Sequence, residues 1–336
     1  MRKKENHLTN IQQVAKIADV SVATVSRVIN NSPKVSPKTR EKVEGAIASI
    51  NYVPNMLGRN LRTSASRSIL VMVTNISNLF YMETVRGISE VAYENGYDIL
   101  LSETHEDLKR QTDCLVKVKN RIVDGAIIIE STINDEFLLM LEQTNPVVQC
   151  ASYSKDSTIP YVSVDNEKGG QLAAKLLIEK GHTRLAFVGT DDKALYNRKR
   201  REGFLGGIEE AGLQADPDLF RNVALGFEGG KQIALEFIKL PDPPTAIFFV
   251  SDMQAIGAIN GLIMAGYTIP QDMAIVGFDN IDMSSMIVPR LTTISQPMRH
   301  MGRESARMLI ERIRGGNDTV SKNVIFQPEV VLRDTV

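Results

Sequence analysis

The sequence predicts a two-part chain: an all-α helix-turn-helix unit at the N-terminus, followed by an α/β body with doubly wound parallel sheets. Two observations support this prediction. Apolar residues recur at helical spacing three times before Asn51, whereas after Arg67 short branched apolar runs alternate with amphipathic stretches. The net charge divides at the same place, because residues 1–67 hold 12 Lys and Arg against 4 acidic residues, or +8, and the remainder therefore carries −9.

Charge and composition limit the function classes. A compact basic segment on an acidic body is typical of proteins that bind the phosphate backbone of nucleic acid, although a solvated basic tail is the alternative. No stretch approaches the roughly 20 apolar residues of a membrane span, and the N-terminus lacks the apolar core of a signal peptide. We therefore expect a cytoplasmic protein without a membrane partner. Its two cysteines, Cys114 and Cys150, are expected to be reduced, and neither a metal site nor a cofactor is predicted.

Three short helices are predicted in residues 1–54. An apolar stripe begins at Ile11 and ends before Asp19, and Ser21 is the N-cap candidate of a second helix. Ser36 and Pro37 combine an N-cap with proline at the first helical position and open a third helix. The first two helices form a helix-turn-helix. Such a unit places the start of its second helix in the DNA major groove, where arginine pairs with guanine and small apolar side chains touch thymine methyls.

The run IQQVAKIADVSVATVSRVINNSPKVSPKTREKVEGAIASINYVPN resembles the DNA-binding headpiece of the LacI/GalR family. In that family the two residues after the turn serine and the arginine of TVSR contact bases. The resemblance therefore implies base contacts for Val22, Ala23 and Arg27. It implies phosphate contacts for Asn30 and for the caps Ser21 and Ser36.

The segment MLGRNLRT, residues 56–63, is too short to be a stable helix alone. In the LacI/GalR family the corresponding hinge helix folds on operator DNA, pairs with its dimer mate and inserts a leucine into the minor groove. The resemblance places Leu61 at that position and implies backbone contacts for Arg59 and Arg62. A homodimer with two headpieces implies a near-palindromic double-stranded operator. The hinge and linker are assigned to residues 55–67.

The body, residues 68–336, contains eight apolar runs separated by helix-length patterns, which indicates parallel strands with crossover helices. The runs are SILVMVT, YDILLS, GAIII, PVVQC, YVSVD, RLAFVG, TAIFFVS and MAIVGFD. In open α/β sheets ligands bind beyond the carboxyl ends of strands, so polar residues after each run are binding candidates. They include Asn75, Ser77, Asn78, Glu130, Ser131, Cys150, Asp165, Thr190, Ser251 and Asp279.

The resemblance continues through GHTRLAFVG, PPTAIFFVSD, GFDNID and LTTISQP, and implies a two-lobed periplasmic-binding-protein-like sensor domain. The segments MGRNLRT, SRSILVMV, GFDNID and LTTISQP resemble those of the cytidine-repressor subgroup of the family. The N-lobe is expected to take about 68–164 plus 294–325, and the C-lobe about 165–293 plus 326–336. The residues implied to bind the effector are Asn78, Phe80, Tyr81, Cys150, Arg200, Phe227, Ser251 and Asp279.

The expected effector is a small polar compound. The resemblance implies that Arg200 would bind it with a charged fork and that Phe227 would cap it. It also implies that Ser251 and Asp279 would accept or donate hydrogen bonds. A sugar or sugar derivative fits this set, and a nucleoside or nucleobase is the alternative. Cys150 stands where the family often has a carboxylate or another polar residue. The sequence leaves open the effector, the operator, and whether the ligand induces or corepresses.

Two other function classes compete with a regulator. An enzyme of doubly wound fold would need a catalytic constellation, and the sequence has no G-x-G-x-x-G after its first strand, no P-loop and no G-x-S-x-G elbow. Its histidines, His7, His105, His182 and His300, show no metal-ligand spacing. A free-standing solute-binding protein would need an export signal and no basic N-terminal unit. The sequence therefore predicts a ligand-controlled DNA-binding regulator that represses transcription.

Overall fold

The computed structural model describes residues 11–52, 65–105, 107–130, 135–153, 158–315 and 323–336. The chain divides into two compact units, Met1–Ala65 and Ser66–Val336. The predicted hinge helix, with Arg59, Leu61 and Arg62, lies outside the described residues.

The first unit contains the three predicted helices, α1 (Ile11–Ile17), α2 (Val22–Ile29) and α3 (Pro37–Ser49). The Ser21 hydroxyl caps α2 by accepting from the Thr24 amide at 3.2 Å, and Ser36 caps α3 in the same way. Asp19 makes the turn between α1 and α2 with a φ of 51°, a left-handed conformation that aspartate tolerates. The helices enclose a small apolar core of Val14, Ala15, Ala18, Val25, Val28, Val43, Ala46 and Tyr52.

The second unit is built on two sheets, each with six strands among the described residues. The first sheet has the order β11-β5-β4-β3-β1-β2, and all its strand pairs are parallel. Its strands are β1 (Ser68–Val73), β2 (Asp98–Glu103), β3 (Gly125–Ile129), β4 (Val147–Cys150), β5 (Tyr161–Val164) and β11 (Val324–Phe326). The second sheet has the order β12-β10-β9-β8-β6-β7 and is parallel except for the β10–β12 pair. Its strands are β6 (Leu185–Gly189), β7 (Phe220–Asn222), β8 (Ala246–Phe249), β9 (Ala274–Asp279), β10 (Thr292–Ser295) and β12 (Glu329–Val331).

Helices cover both faces of each sheet, because alternate residues of every central strand point to opposite faces and both sets are apolar. The first lobe carries α4 (Leu79–Glu94), α5 (Leu108–Lys119), α6 (Asp135–Glu142) and α11 (Met298–Gly315). The second lobe carries α7 (Asn166–Glu179), α8 (Leu195–Glu210), α9 (Phe227–Phe237) and α10 (Asp252–Met264). Short 3-10 helices lie at Pro217–Leu219 and Asp282–Ser285. None of the described helices combines the length and apolarity needed to cross a membrane.

Three helix pairs pack backbone against backbone through reciprocal glycines. In the α7–α8 pair, a Cβ built on Gly170 would lie 2.1 Å from the Arg200 carbonyl oxygen, and one on Gly203 would lie 1.8 Å from the Glu167 carbonyl oxygen. The same reciprocal arrangement joins α4 to α11 through Gly87 and Gly302, and α9 to α10 through Gly230 and Gly257. Because no side chain fits between these helices, the positions of α8 and α10 are fixed relative to their partners.

The sheet membership of the strands marks where the chain passes between lobes. It leaves the first sheet after Val164 and returns to it near Val324 before entering the second sheet again at Glu329. Strand β10 (Thr292–Ser295) lies wholly in the second sheet. The second N-lobe segment was predicted to begin at about 294, and in the structure the passage back to the first lobe follows Ser295.

Candidate functional site

A cavity lies at the carboxyl ends of the strands and opens into a wider cleft with which it shares several lining residues. Both lobes contribute to its wall. The lining residues of the first lobe are Asn78, Phe80, Tyr81, Glu130, Ala151 and Ser152. Those of the second lobe and its crossovers are Val164, Asn166, Tyr196, Arg200, Leu225, Val250, Ser251, Asp279 and Gln296. This is the edge of the sheets at which polar residues following the strands were predicted to meet.

Arg200, on α8, is buried and held by several partners. Its Nε donates to Asn166 Oδ1 at 2.9 Å, and its Nη1 donates to the Val250 carbonyl oxygen at 2.5 Å. The guanidinium carbon lies 3.4 Å above the ring centre of Phe278, and Nη1 is 4.0 Å from Asp279 Oδ1. Burial lowers the pKa of Arg200 from its ordinary value, and the Asp279 carboxylate opposes that shift. An arginine retains its charge in such a site because its ordinary pKa is so high.

Asp279 ends β9 and faces Arg200. Its Oδ1 accepts a hydrogen bond from Gln296 Nε2 at 2.6 Å, and its φ of 118° is rare for a residue with a Cβ. Burial raises the pKa of Asp279 to about 7, although Arg200 and Gln296 oppose the shift. Asp252 lies buried beside it and accepts from the Thr293 hydroxyl at 2.6 Å. Burial, together with the charge of Asp279, raises the pKa of Asp252 well above its ordinary value.

The first lobe presents a chain of hydroxyl groups that ends on a carboxylate. The side chain of Asn78 caps α4 by accepting from the Phe80 amide at 3.0 Å, which places Phe80 and Tyr81 at the cavity. The Thr74 hydroxyl donates to the Tyr81 hydroxyl oxygen at 2.9 Å, and Tyr81 donates to the Glu130 carboxylate. Burial, followed by the charge of Glu130, raises the pKa of Tyr81 well above its ordinary value. Tyr81 therefore stays a hydrogen-bond donor.

Cys150 does not line the cavity, so the predicted effector contact at this residue is corrected. Its side chain lies on the same face of β4 as Val148, within the core, and is fully buried. The thiol interacts with Ser305 of α11, and burial raises its pKa to about 12. Ala151 and Ser152, the next residues along the chain, line the cavity instead.

Phe227 is the second predicted residue that does not line the cavity. It is the first residue of α9 and packs, half-buried, against the apolar core. Its backbone is also held close to Gly257 of α10. Leu225, two residues earlier, lines the cavity at this side.

Asn78, Phe80, Tyr81, Arg200, Ser251 and Asp279 all line the cavity. Nine further lining residues were not among the predicted effector contacts, and Asn166, Tyr196 and Gln296 are three of them. Each of these three had a signal in the sequence. Tyr196 precedes Arg200 by four residues and so shares its helix face, whereas Asn166 and Gln296 follow β5 and β10 at their carboxyl ends.

In the first unit, α2 presents the predicted base-contacting residues to solvent. Val22 is 41% exposed, and Ala23 and Arg27 are exposed, while Val25 and Val28 face the core. The side chains of the other predicted DNA contacts make local bonds. Ser21 and Ser36 cap their helices, and Asn30 Nδ2 donates to the Ser26 carbonyl oxygen at 2.7 Å.

One basic residue of this unit has a structural role that the sequence did not indicate. Arg40 of α3 donates to Asn31 Oδ1 and to the Ser32 carbonyl oxygen, both at 3.0 Å, and to the Val28 carbonyl oxygen at 3.4 Å. It thereby ties α3 to the end of α2. Part of the positive charge of the unit therefore supports its fold.

Comparison with known proteins connects both units to one family. Residues 10–55 match the model of bacterial regulatory proteins, lacI family, and residues 174–336 match that of the periplasmic binding protein-like domain. The HTH-type transcriptional repressor PurR of Aliivibrio salmonicida (strain LFI1238) is 35% identical over 335 residues, covering 98% of this chain and 99% of that protein. The HTH-type transcriptional repressor CytR of Escherichia coli (strain K12) is 32% identical over 315 residues, covering 93% and 92%.

A solved structure of a repressor connects the whole chain to the same family. The crystal structure of the lac repressor dimer bound to operator and the anti-inducer ONPF matches with a TM-score of 0.88 and 26% identity, over 97% of this chain and 98% of that one. These comparisons confirm the predicted fold class. They also confirm the prediction of a DNA-binding transcriptional regulator rather than an enzyme. The chain belongs to the LacI family of bacterial regulatory proteins.

Proposed function

We propose that this protein is a homodimeric repressor that acts in the cytoplasm on a near-palindromic DNA operator under the control of a small polar effector. The effector binds in the cavity between the lobes, and α2 contacts the operator. Closure or rotation of the two lobes around the effector would then alter operator affinity, and the coupling must act equally in both directions.

The exposed face of α2 supports the DNA-binding assignment. Val22, Ala23 and Arg27 lie on this face, within a segment whose net charge is strongly positive. Arg27 can pair with a guanine in the major groove, whereas Val22 and Ala23 are small enough to touch thymine methyl groups. The proposed phosphate contacts of Ser21, Ser36 and Asn30 use exposed residues at the ends of α2 and α3.

Binding to operators selected from a random DNA pool tests this assignment. Arg27→Ala should weaken binding to the selected sequence about tenfold to a hundredfold and change binding to unrelated DNA much less. Lys42→Ala, which removes an exposed charge on α3, is the matched control and should weaken both kinds of DNA similarly. If Arg27→Ala retained full sequence preference, the recognition helix would be wrongly assigned.

The buried Arg200 is the observation that carries the effector assignment. Its guanidinium is already oriented by Asn166 and by the Val250 carbonyl, and Asp279 lies beside it. A charged donor next to a carboxylate suits a ligand rich in hydroxyl groups, which both donate and accept. We infer a sugar or sugar derivative. A nucleoside is the second candidate, since Phe80 and Tyr196 also offer aromatic faces on which a base could stack.

A thermal-shift screen of sugars, sugar phosphates, nucleosides and nucleobases tests the effector assignment. A ligand present at 100 times its Kd should stabilise the fold by about 2.7 kcal/mol. Arg200→Ala should abolish the shift. Arg201→Ala, which removes the neighbouring arginine that binds Asp192 outside the cavity, should preserve it. A ligand that binds equally well to Arg200→Ala would show that the cavity is not its site.

A further inference from the structure

The charges on the cavity wall are unequal. Among the described lining residues, Arg200 is cationic, whereas Glu130 and Asp279 are acidic. Arg200 and Asp279 lie together in the second lobe with 4.0 Å between their charged atoms, while Glu130 belongs to the first lobe. Burial is the main cause that raises the pKa of Asp279, and the charge of Glu130 adds to it. Glu130 and Asp279 therefore interact across the cavity. Glu130 therefore favours N–H donors or positive charge at the first-lobe end of a ligand.

The hydrogen bonds around Glu130 make it an acceptor. Thr74 donates to Tyr81, and Tyr81 donates to Glu130, so each hydroxyl of the chain points its hydrogen towards the carboxylate. The Glu130 side chain therefore accepts hydrogen bonds. A ligand oxygen that only accepts, such as a carbonyl or a phosphate oxygen, would meet Glu130 with no hydrogen between them.

The opposite wall has the complementary polarity. Arg200 supplies donors there, and its orientation is fixed by Asn166 and the Val250 carbonyl. A ligand that spans the cavity thus meets donors at its second-lobe end and an acceptor at its first-lobe end. The two ends of the ligand are consequently selected by different chemistry.

We propose that the effector presents an amino group to Glu130, and that Glu130, positioned by Tyr81, selects aminated ligands over their hydroxyl or carbonyl analogues. This inference rests on the proposed function, because it assigns the ligand class of the same cavity. The amino group can belong to an amino sugar, where it is a charged ammonium, or to a nucleobase, where it is a neutral exocyclic amine. Both present N–H donors to the carboxylate.

Matched ligand pairs test the inference on the full-length protein. The pairs are glucosamine and glucose, galactosamine and galactose, cytidine and uridine, and adenosine and inosine. Isothermal titration should give an amino member a Kd about tenfold to a hundredfold below that of its partner, as expected for a hydrogen bond to a charged group. Binding that weakens steeply with added salt identifies the ammonium source, whereas binding that is nearly insensitive to salt identifies the base amine.

The Glu130→Gln variant should bring the two members of that pair to within about threefold, because an amide both donates and accepts. Tyr81→Phe removes the donor that orients Glu130, and should reduce the preference without reversing it. Glu83→Gln is the control, since it removes a carboxylate of α4 that pairs with Arg86 outside the cavity, and it should retain the full preference. The melting temperature of each ligand-free variant verifies that it folds.

The outcomes separate this inference from the proposed function. If glucose, uridine or another member without an amino group bound as tightly as its partner, the inference would fail while the effector cavity stood. A preference that Glu130→Gln and Tyr81→Phe both leave intact would also overturn it. If no member of the four pairs and no compound of the wider screen stabilised the protein, both the inference and the proposed effector class would fall.

Discussion

Arg200 shows how a single residue can prepare a binding site before any ligand arrives. Four groups that contact it, from Asn166, Val250, Phe278 and Asp279, all belong to the second lobe or to its crossover. Folding therefore already orders and desolvates the guanidinium, so ligand binding does not have to supply that free energy. A ligand that binds there loses less entropy on ordering its site, which favours affinity.

Effector affinity should depend on pH through Asp279, whose pKa is raised to about 7 by burial. A ligand hydroxyl that donates to the ionised carboxylate should bind with little pH dependence above pH 7. Below it, the Kd should rise about tenfold per pH unit, because the proton competes with the ligand. Titration calorimetry from pH 5.5 to 8.5 measures this, and Asp279→Asn should give a flat, weak profile. A wild-type Kd that stays constant across this range would contradict the assignment.

The same group affects the stability of the ligand-free protein with a definite sign. The ordinary pKa of aspartate is 3.8, so between about pH 4 and 7 the folded state retains a proton that the unfolded chain releases. The contribution of Asp279 to the free energy of unfolding therefore falls as the pH rises through this window and is constant above it.

At the scale of elements, the glycine-bearing helix pairs position the site. Arg200 lies on α8, which packs against α7 through Gly170 and Gly203. Ser251 and Asp252 lie at the start of α10, which packs against α9 through another such pair. The chemistry of the second lobe thus depends on helix axes that approach without intervening side chains.

Gly203→Ala should destabilise the protein by about 1–3 kcal/mol or more, because its Cβ would lie 1.8 Å from the Glu167 carbonyl oxygen and force α7 and α8 apart. Gly206→Ala, on the same helix, is the matched control. Nothing lies within 4 Å of its Cβ, so this change should stabilise the protein by about 0.5–1 kcal/mol. Urea denaturation measures both. Equal effects of the two substitutions would rule out the close packing described for α8.

Most elements followed from the sequence because their physical signals are local. The N-caps Ser21 and Ser36 and the eight apolar runs predicted helices and strands that the structure contains. Four of the described strands, β7, β10, β11 and β12, have no counterpart among the eight runs. Strand β7 (Phe220–Asn222), for example, is a three-residue edge strand with two exposed residues and no apolar run. Cys150 was placed in the cavity because it ends a strand, but the end of a strand does not specify which face a side chain occupies. That depends on strand register and on α11, far away in the sequence.

At the scale of the whole molecule, the two compact units should separate by function. A fragment of residues 66–336 contains all the residues that line the cavity and none of α1, α2 or α3. It should bind the effector with an unchanged Kd and lose operator binding. Calorimetry and fluorescence anisotropy on the fragment and the full chain measure the two activities. Specific operator binding by the fragment would refute the assignment of α2.

Homodimer formation should involve apolar surface of the second unit. Met286 and Val288, two residues apart in the chain, are 73% and 88% exposed, and neighbouring apolar side chains at such exposure are typical of surfaces that meet a partner. Met286→Asp should shift the dimer towards monomer in sedimentation experiments. It should also weaken operator binding much more than effector binding, because two linked headpieces raise each other's effective concentration at the operator. An unchanged dimer would place the interface elsewhere.

The reciprocal glycines have a consequence for how this sensor can be re-engineered. They hold the helices by contacts between main-chain atoms, at positions separate from side chains such as Glu130, Tyr196 and Leu225 that touch the cavity. The supporting frame, meaning the helix pairs packed through glycine, and the ligand selectivity therefore depend on different residues. A mutational library restricted to the cavity wall can change which metabolite the protein detects, while the frame that transmits the response remains as it is.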